Sequence, residues 1–584
     1  MVKDKPAGIC RTEGDTHMKT MLERGAGILM PVSSLPSPYG IGTFGSAAYE
    51  FVDFLKKARQ KYWQVLPVGP TSYGDSPYQS FSAFAGNPYF IDLDTLVKEG
   101  LLTQDEINAC YWGDNPTQVA YDAVFWYRFP LLKKAYARSE YREEQGYEKF
   151  CMDSWYWLND YAFYMALKFH FDNKEWLAWP EDIRFRKKEA VESYREELKD
   201  EIDFWKFLQY KFYQQWGKLR TYANEQGISI IGDIPIYVAL DSADVWTHPE
   251  LFLLDEENLT PLKVAGVPPD AFSETGQLWG NPLYRWDVQE KTDFAWWKER
   301  MKASARLYDV VRIDHFIGVT QYYAIPAGSE DGKTGEWLKG PGKKLTDAIN
   351  MVIGDTKIIA EDLGIFVPEV KELLEETGYP GMKIIEFAFS GDRFNEHLPH
   401  MYSPNSVVYG GTHDNETLVG YFKPEERQWW ELQYIADYMG VSHQHEVVDK
   451  VLKTAYASVA SVVIFQAQDI LKLDNWARMN TPGTVGNNWR WRMKPGELNQ
   501  DHINHLSWLV IHLDGSDGAV TGQKYRVTES AFVDNNRCVP YAVQCRKIRK
   551  NGRFVRGKQT ARFLEIRLTP DRNCDIVKLI PMHY

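Results

Sequence analysis

Short apolar runs, each bounded by Gly, Pro or Asp, recur at eight places along the chain. They are GILMPV (27–32), YWQVLPV (62–68), ISIIGDIPIYV (228–238), VVRIDHFIG (310–318), KIIAEDLG (357–364), MKIIEFAF (382–389), SVVYGGTHD (406–414) and SVVIFQA (461–467). Most are continuously apolar rather than alternating, which is typical of strands buried on both faces of a parallel sheet. The pattern therefore predicts eight buried strands.

Segments with a helical period separate the predicted strands. Apolar residues recur every three or four positions in AAYEFVDFLKKARQ (47–60), VPEVKELLEETG (367–378) and HEVVDKVLKTAYASVA (445–460). Eight strands that alternate with helices fit a closed barrel better than an open sheet. The sequence therefore predicts an α/β protein whose residues 25–500 form a (β/α)₈ TIM barrel.

The spacing between the predicted strands is uneven. About 160 residues separate the second strand from the third, and much of this stretch is aromatic with a helical pattern, as in DSWYWLNDYAFYMALKFHF (153–171). We interpret residues 95–225 as an inserted, mostly helical subdomain over the mouth of the barrel. Before the fourth strand, the Gly- and Pro-rich segment VAGVPPDAFSETGQLWGNPLYRW predicts an active-site loop at 264–286.

The two ends of the chain differ from the rest. We predict a disordered extension at residues 1–24, within which Met18 and Met21 are alternative starts. Residues 502–584 carry 14 Lys and Arg against 7 Asp and Glu, whereas the whole chain has a net charge of −13. This shift predicts that residues 501–584 form an atypical basic tail of separate origin, either an appended module or the product of a frame change.

Composition excludes several classes of function. The 584 residues are 44% hydrophobic and 25% charged, as in a globular protein, and a net charge of −13 argues against nucleic acid or an anionic membrane as the main partner. No apolar run is long enough for a membrane span or a secretory signal, and the six cysteines form neither a CxxC pair nor a dense framework. These features predict a soluble, cytoplasmic protein of undetermined oligomeric state.

Three predicted strands, the fourth, fifth and seventh, end in an acid: Asp314, Glu361 and Asp414. In (β/α)₈ barrels the chemistry lies at the C-terminal ends of the strands. A carboxylate there is costly to desolvate unless it is paired or used, and any one of the three taken alone is more often a cap or an ion-pair partner. Three such acids, two of them beside Arg or His, favour a catalytic set.

Glycosyl transfer through an oxocarbenium-like transition state is the reaction that needs such a set. One carboxylate attacks the anomeric carbon, a second with a raised pKa protonates the departing oxygen, and a third holds the ring hydroxyls. The 21 Trp and 34 Tyr serve the core first, but such rings also stack on pyranose faces in sugar clefts. Neither zinc-ligand spacing, nor GxxxxGK[ST], nor GxSxG is present.

Longer segments, in a fixed order, carry more information than any three-residue pattern. They are DSPYQSFSAFAGNPYFIDL (75–93), GDIPIYVALDSADVW (232–246), AGVPPDAFSETGQLWGNPLYRW (265–286), VRIDHFIG (311–318), AEDLG (360–364), GTHDNET (411–417) and TPGTVGNNWRWRMKPGE (481–497). Together they resemble 4-α-glucanotransferases, the amylomaltases or disproportionating enzymes of glycoside hydrolase family 77. The similarity runs from about Gly25 to about Glu497.

The resemblance implies a role for ten residues. Asp314 matches the nucleophile, Glu361 the general acid/base and Asp414 the acid that stabilises the transition state. The implied substrate-binding residues are Arg312 beside the nucleophile, His413 and Tyr78 at the cleavage subsite, Asp270 and Trp279 in the closing loop, Tyr73 at a secondary glucan site, and Asp233. For Asp233 a structural role is an equal alternative, and Trp489 and Trp491 fit the core better than a ligand site.

The resemblance also implies an activity. The family transfers α-1,4-glucan segments, including those of maltooligosaccharides, to the 4-OH of another glucan or of glucose, with retention and without a metal or organic cofactor. Retention predicts that the carboxyl oxygens of Asp314 and Glu361 lie roughly 5–5.5 Å apart. Two alternatives stay open: an α-amylase-type hydrolase that uses the same acids, and a non-catalytic glucan-binding protein. The family also has a closing helix after residue 500, where HLSWLVIHLDGSDGAVTGQ departs from its pattern.

Overall fold

The structure is a computed structural model that describes residues 22–269, 273–364 and 367–514, without the side chains of Tyr73 and Glu426. Its strands, in chain order, are β1 (Gly25–Leu29), β2 (Tyr62–Gln64), β3 (Ser229–Pro235), β4 (Lys263–Val267), β5 (Gln277–Pro282), β6 (Val310–Asp314), β7 (Gln321–Pro326), β8 (Glu336–Lys339), β9 (Lys357–Ala360), β10 (Gly381–Ile384), β11 (Ser406–Tyr409) and β12 (Val462–Gln466). They form two separate sheets.

The α-helices are short except in the stretch between β2 and β3. In chain order they are α1 (Ser46–Lys57), α2 (Leu93–Lys98), α3 (Gln104–Asn108), α4 (Tyr121–Arg138), α5 (Gln145–Asp153), α6 (Leu158–His170), α7 (Glu181–Arg184), α8 (Lys188–Glu197), α9 (Lys199–Glu225), α10 (Ala243–Thr247), α11 (Trp286–Lys291), α12 (Ala295–Leu307), α13 (Ile317–Thr320), α14 (Lys343–Asn350), α15 (Pro368–Thr377), α16 (Leu418–Tyr421), α17 (Trp429–Met439), α18 (Val447–Tyr456), α19 (Ala467–Ile470) and α20 (Gln500–Leu509). Within the described residues, no helix is long and apolar enough to cross a membrane.

Eight parallel strands form the central sheet. They pair in the order β10-β11-β12-β1-β2-β3-β6-β9. The N–H of Ala360, at the end of β9, donates to the carbonyl of Pro380 just before β10 at 3.1 Å, so the two ends of the sheet meet. Each strand overlaps one of the eight predicted apolar runs, and the predicted (β/α)₈ barrel is confirmed.

The continuous apolar runs arise because both faces of each strand are buried. Alternate residues from every strand meet in one apolar cluster, among them Leu29, Tyr62, Ile231, Val310, Ile359, Met382, Val407 and Val462. The residues between them, such as Ile28, Trp63, Ile230, Val311, Ile358, Val408 and Val463, belong to the other large cluster, which includes the helices. A strand with two apolar neighbourhoods has few positions for a polar residue, and Arg312 within β6 and Asp233 within β3 are buried together as a pair.

The stretch between β2 and β3 contains helices α2 to α9, in agreement with the helical pattern predicted for residues 95–225. The last turns of α9 pack on the barrel: the indole N–H of Trp216 donates to the Leu307 carbonyl at 3.0 Å, and Arg220 pairs with Asp309 at 2.7 Å. α9 therefore also serves as the outer helix before β3. That the earlier helices form a subdomain of their own stays a prediction.

The second sheet was not expected from the sequence. Four antiparallel strands pair in the order β5-β4-β7-β8, and Val267 of β4 lies opposite Gln277 of β5. The segment 264–286, interpreted as an active-site loop, is thus largely a β-hairpin, anchored on β7 through pairs such as Val264 with Ile325. Its Gly and Pro content hid two short strands whose partners lie elsewhere in the chain.

A helix continues past residue 500, which corrects the expectation that the closing helix is missing. The Asn499 side chain caps α20 by accepting from the N–H of Asp501 at 2.9 Å, and Leu506 and Leu509 are fully buried. Ser507 donates to the Lys57 carbonyl of α1 at 3.1 Å. The predicted tail boundary at 501 therefore falls inside a helix that packs on the barrel and continues as a wider π-type turn to residue 514.

Candidate active site

The fourth and fifth barrel strands place two acids side by side. Asp314 is the last residue of β6, and Glu361 directly follows β9. The two strands are neighbours, with Ile313 opposite Ala360, and the N–H of Glu361 donates to the Ile313 carbonyl at 3.0 Å. Both acids therefore leave the same edge of the barrel at adjacent positions, as the sequence predicted.

A buried arginine holds the carboxylate of Asp314. Nη1 of Arg312 donates to Oδ1 of Asp314 at 2.9 Å and to both carboxylate oxygens of Asp233 at 2.8 Å. Burial lowers the pKa of Arg312, but Asp233 and Asp314 outweigh it and hold that pKa well above its ordinary value. The guanidinium is thus a fixed positive charge that orients Asp314, and fully buried Asp233 is its counter-charge.

Glu361 sits in a different environment. Its Oε2 accepts from the backbone N–H of His315 at 2.7 Å and its Oε1 accepts from that of Leu363 at 2.9 Å. Burial, and then the nearby Asp314 carboxylate, raise the pKa of Glu361 to about 8 against the opposing effect of Arg312 and the two amides. A glutamic acid with this pKa carries its proton at neutral pH, as a general acid must.

Asp414 lies beyond the end of β11 and is held by residues that follow β12. Its Oδ1 accepts from Nδ2 of Asn480 at 2.6 Å, and its carbonyl accepts from Nη2 of Arg478 at 2.6 Å. The side chain of Asp414 is nearly half exposed. Asn480 was not identified from the sequence, although it directly precedes the TPGTVGNNW segment.

Tyr78, Asp233 and His413 form one network behind the acids. The Tyr78 hydroxyl donates to Oδ2 of Asp233 at 2.9 Å and lies 3.2 Å from Nδ1 of His413. The Tyr78 and His413 rings stack with centroids 4.8 Å apart, and Trp489, almost fully buried, tilts against both. Side chains from distant parts of the chain therefore share one cluster, which explains why the matching motifs lie so far apart in the sequence.

The hairpin of β4 and β5 reaches the same place through Trp279. The Trp279 ring meets the His315 ring edge to face, with centroids 4.8 Å apart. His315 is also the residue whose N–H binds Glu361, and burial lowers the pKa of its imidazole to about 4, so the ring is neutral. His315 directly follows Asp314 in the chain, so Trp279 is linked to both catalytic candidates through this one residue.

Two predicted site residues cannot be placed in this cluster. Asp270 lies outside the described residues, and so does the side chain of Tyr73, although its backbone forms part of a short 3₁₀ turn (Tyr73–Asp75). Among the described residues, no group of three or more His, Cys, Asp and Glu is arranged to hold a metal ion. The separation of the Asp314 and Glu361 carboxyl oxygens stays a prediction.

The arrangement combines one oriented carboxylate with one protonated carboxyl on a neighbouring strand. A third acid and a histidine face the same edge from the seventh strand end. These residues can together carry out a two-step displacement at an anomeric carbon. The first acid attacks the carbon, and the second exchanges a proton with the leaving and entering oxygens.

Comparison with known proteins gives a consistent result. The family model described as 4-alpha-glucanotransferase, glycoside hydrolase family 77, matches residues 30–499. The 4-alpha-glucanotransferase of Clostridium butyricum is 50% identical over 481 residues, which is 82% of this chain and 99% of the relative. That of Streptococcus pneumoniae is 49% identical over 480 residues, 82% of this chain and 95% of the relative.

Solved structures agree with the sequence relatives. The amylomaltase from Streptococcus agalactiae in complex with acarbose has a TM-score of 0.81 and 43% identity, and the match covers 84% of this chain and 99% of that one. The amylomaltase from Corynebacterium glutamicum has a TM-score of 0.68 at 17% identity, with 83% of this chain and 75% of that one covered, and shares the fold.

Proposed function

This chain belongs to the 4-alpha-glucanotransferase family, glycoside hydrolase family 77, and from that premise we propose that Asp314, Glu361 and Asp414 transfer α-1,4-glucan segments from a donor to the 4-OH of an acceptor glucan or glucose. The observation that carries the assignment is the difference between Asp314 and Glu361. Arg312 binds Asp314 at 2.9 Å, whereas burial raises the pKa of Glu361 to about 8. In the proposed reaction Asp314 is therefore the group that attacks, and Glu361 is the group that brings a proton.

In the first step, an Asp314 carboxylate oxygen attacks the anomeric carbon of the donor. The C–O bond to the leaving glucan breaks as the C–O bond to Asp314 forms, and Glu361 gives its proton to the departing oxygen. The product is a glycosyl ester of Asp314 and a free 4-OH on the released chain. Arg312 supports this step by holding the attacking carboxylate in one orientation.

In the second step, Glu361 is anionic and takes the proton from the 4-OH of the acceptor. The acceptor oxygen attacks the anomeric carbon from the face that the leaving group vacated, and Asp314 is released as a carboxylate. Two inversions at one carbon restore the α configuration. Both free acids return to their starting protonation states, so the cycle balances without a cofactor in either step.

The remaining residues bind the sugar at which cleavage occurs. Asp414 and His413 are positioned by Asn480 and Tyr78 to hold ring hydroxyls of the distorted sugar, and the Tyr78 ring offers a stacking face. Trp279 covers the site and keeps water from replacing the acceptor. Asp233 acts through Arg312, which favours the supporting role for this residue. The substrate contact of Asp270, the secondary glucan site at Tyr73 and the cytoplasmic location stay predictions.

Incubation with pure maltotriose tests the proposed reaction. We expect a ladder of shorter and longer glucans, with glucose released, and no net gain in reducing ends. A steady rise in reducing ends would identify a hydrolase instead, and an unchanged substrate would identify a binding protein. Trapping a glycosyl-enzyme of Glu361→Gln with an α-glucosyl fluoride donor, followed by peptide mass analysis, should place the label on Asp314.

A further inference from the structure

Glu386 is a buried acid next to the proposed site that the mechanism does not use. It follows β10, the sixth barrel strand, and its N–H donates to the Gly410 carbonyl at 3.1 Å, just beyond β11. The residue is 3% exposed. Its side chain therefore lies beneath the backbone that leads from β11 to Asp414.

A chain of hydrogen bonds runs from Glu386 to Asp414. Nδ2 of Asn415 donates to Oε2 of Glu386 at 3.0 Å. Oδ1 of Asn415 accepts from the N–H and the hydroxyl of Thr412 at 2.9 and 2.8 Å. The Thr412 hydroxyl oxygen in turn accepts from the N–H of Asp414 at 3.3 Å. Glu386 thus anchors the amide that closes the turn from Thr412 to Asn415, on which His413 and Asp414 stand.

The turn packs closely on the Glu386 carboxyl. A β-carbon added at Gly411 would lie 2.6 Å from Oε1 of Glu386, so the backbone passes directly over this oxygen. The Tyr421 hydroxyl donates to the Glu386 carbonyl and fixes the residue from the other side. A change in the size or charge of the Glu386 side chain must therefore move the turn.

The groups that face Glu386 make it an uncharged acid. Asp469, whose own pKa burial raises to about 7, and Glu416 are the acids near it, and Arg427, a nearby cation, lies 3.8 Å from Glu416. Oε1 of Glu386 and Oδ2 of Asp469 are buried and have no hydrogen-bond partner within the described part of the chain. Burial, followed by Asp469, raises the pKa of Glu386 well above its ordinary value, and Asn415 opposes this shift.

We propose that Glu386 is a positioning residue that acts through Asn415 and Thr412 to hold His413 and Asp414 against the reacting sugar, and that it does so as a neutral carboxylic acid. The inference rests on the proposed role of Asp414 in the transition state. Glu386 is almost fully buried and acts, in this proposal, without contact to the sugar. Its contribution is the fixed placement of two groups that contact the sugar, and placement errors of about 1 Å can cost a hundredfold in rate.

Three variants test the proposal against a matched control. Glu386→Ala removes the first member of this hydrogen-bond chain and Asn415→Ala removes the link that joins it to Thr412. Glu386→Gln keeps a neutral side chain of the same shape whose carbonyl can still accept from Asn415. Tyr456→Phe is the control, because it deletes a buried hydrogen bond, from the Tyr456 hydroxyl to Oε1 of Gln60 at 3.1 Å, close to where β12 begins and so away from the catalytic edge.

We expect kcat for maltotriose disproportionation to fall about tenfold to a hundredfold in Glu386→Ala and Asn415→Ala, with KM changed less than about threefold. Glu386→Gln should restore kcat to within about threefold of wild type, and Tyr456→Phe should lower the melting temperature without lowering kcat. Unchanged kcat in Asn415→Ala, or a Glu386→Gln variant as impaired as Glu386→Ala, would overturn the proposal. If Glu386→Ala does not fold, Asn415→Ala and Glu386→Gln still decide it.

An Asp414→Asn background separates this inference from the proposed function. With an α-maltosyl fluoride donor, adding Glu386→Ala to Asp414→Asn should lower kcat by clearly less than Glu386→Ala does in the wild type, with the remaining loss due to His413, because groups that act as a unit are not additive. Full additivity would show that Glu386 acts elsewhere. Wild-type activity of Asp414→Asn alone would instead remove the role of Asp414 on which the inference rests.

Discussion

Two groups of acids meet at the C-terminal edge of the barrel, and they differ in what binds them. At the third and fourth strand ends, Asp233 and Asp314 both contact the guanidinium of Arg312. At the fifth and sixth, Glu361 accepts from two backbone amides and Glu386 accepts from an asparagine amide. The first group is held by a full charge and the second by dipoles.

This difference bears on protonation, although at Asp233 burial still raises the pKa against the opposing effect of Arg312. The desolvation of a buried carboxyl is costly only when the group is ionised, so an adjacent cation stabilises the anion and neutral donors leave the acid protonated. Burial raises the pKa of Glu361 to about 8, and that of Glu386 well above its ordinary value. In the proposed mechanism, one barrel edge thus supplies both the nucleophile, which Arg312 contacts, and the proton donor, whose pKa burial raises.

Removal of the nucleophile should have the largest effect on activity. In Asp314→Asn the amide cannot form the glycosyl ester, so we expect kcat for maltotriose to fall about 10⁴-fold or more. The melting temperature, measured by calorimetry, should stay near that of wild type. Folded variant protein with activity within tenfold of wild type would exclude Asp314 as the nucleophile.

Removal of the proton donor should depend on the leaving group. Glu361→Gln is expected to lose about 10² to 10⁴-fold in kcat with maltotriose, the range typical of general acid catalysis. Glycosylation by α-glucosyl fluoride, measured as the burst of fluoride released, should fall much less, since fluoride departs without a proton. Equal losses with both donors would contradict the assignment.

Removal of Arg312 should leave Asp233 and Asp314 without the cation that binds them. Arg312→Met leaves Asp233 buried without a counter-charge, and we expect the free energy of unfolding to fall by about 3–5 kcal/mol. Chemical denaturation measures this loss. The double variant Asp233→Asn, Arg312→Met should recover part of the stability but none of the activity. A single variant as stable as wild type would show that the charge pair is not what holds Asp233.

The raised pKa of Glu361 predicts a pH dependence of both activity and stability. Because kcat/KM requires protonated Glu361, it is expected to fall as pH rises through about 8, and the rate profile checks this. The free energy of unfolding should also depend on the protonation of Glu361, and its direction of change can be derived. The unfolded chain releases the Glu361 proton above about pH 4.3 while the native state retains it, so this group makes stability fall as pH rises from there towards 8.

Glu361→Gln removes the pH dependence of stability that Glu361 causes, and the resulting change in melting temperature is the smallest predicted effect. The melting temperature of Glu361→Gln relative to wild type should increase by a few degrees between pH 5 and pH 8. A difference that stays flat over this range would place the pKa of Glu361 near its ordinary value. Tyr456→Phe, which alters no acid, serves as the pH-independent reference.

The sequence by itself determined the barrel and the order of the acids along its edge. Strands buried on both faces appear in the sequence as mostly continuous apolar runs, and an acid at the end of such a run marks the strand end. This rule places Asp314 and Glu361 at the catalytic edge from the order of residues alone. Motif resemblance added His413, Arg312 and Tyr78, and all three lie in the cluster.

Only the tertiary structure decided which partners these residues have. Tyr78 and His413 are 335 positions apart, and Asp414 and Asn480 are 66 apart, so no local pattern pairs them. The four-stranded antiparallel sheet and the helix after residue 500 were missed for the same reason: their strands and apolar faces are completed by distant segments. The protonation of Glu361 is likewise a property of the assembled edge, because burial by many elements, rather than any neighbour in sequence, sets the cost of its charge.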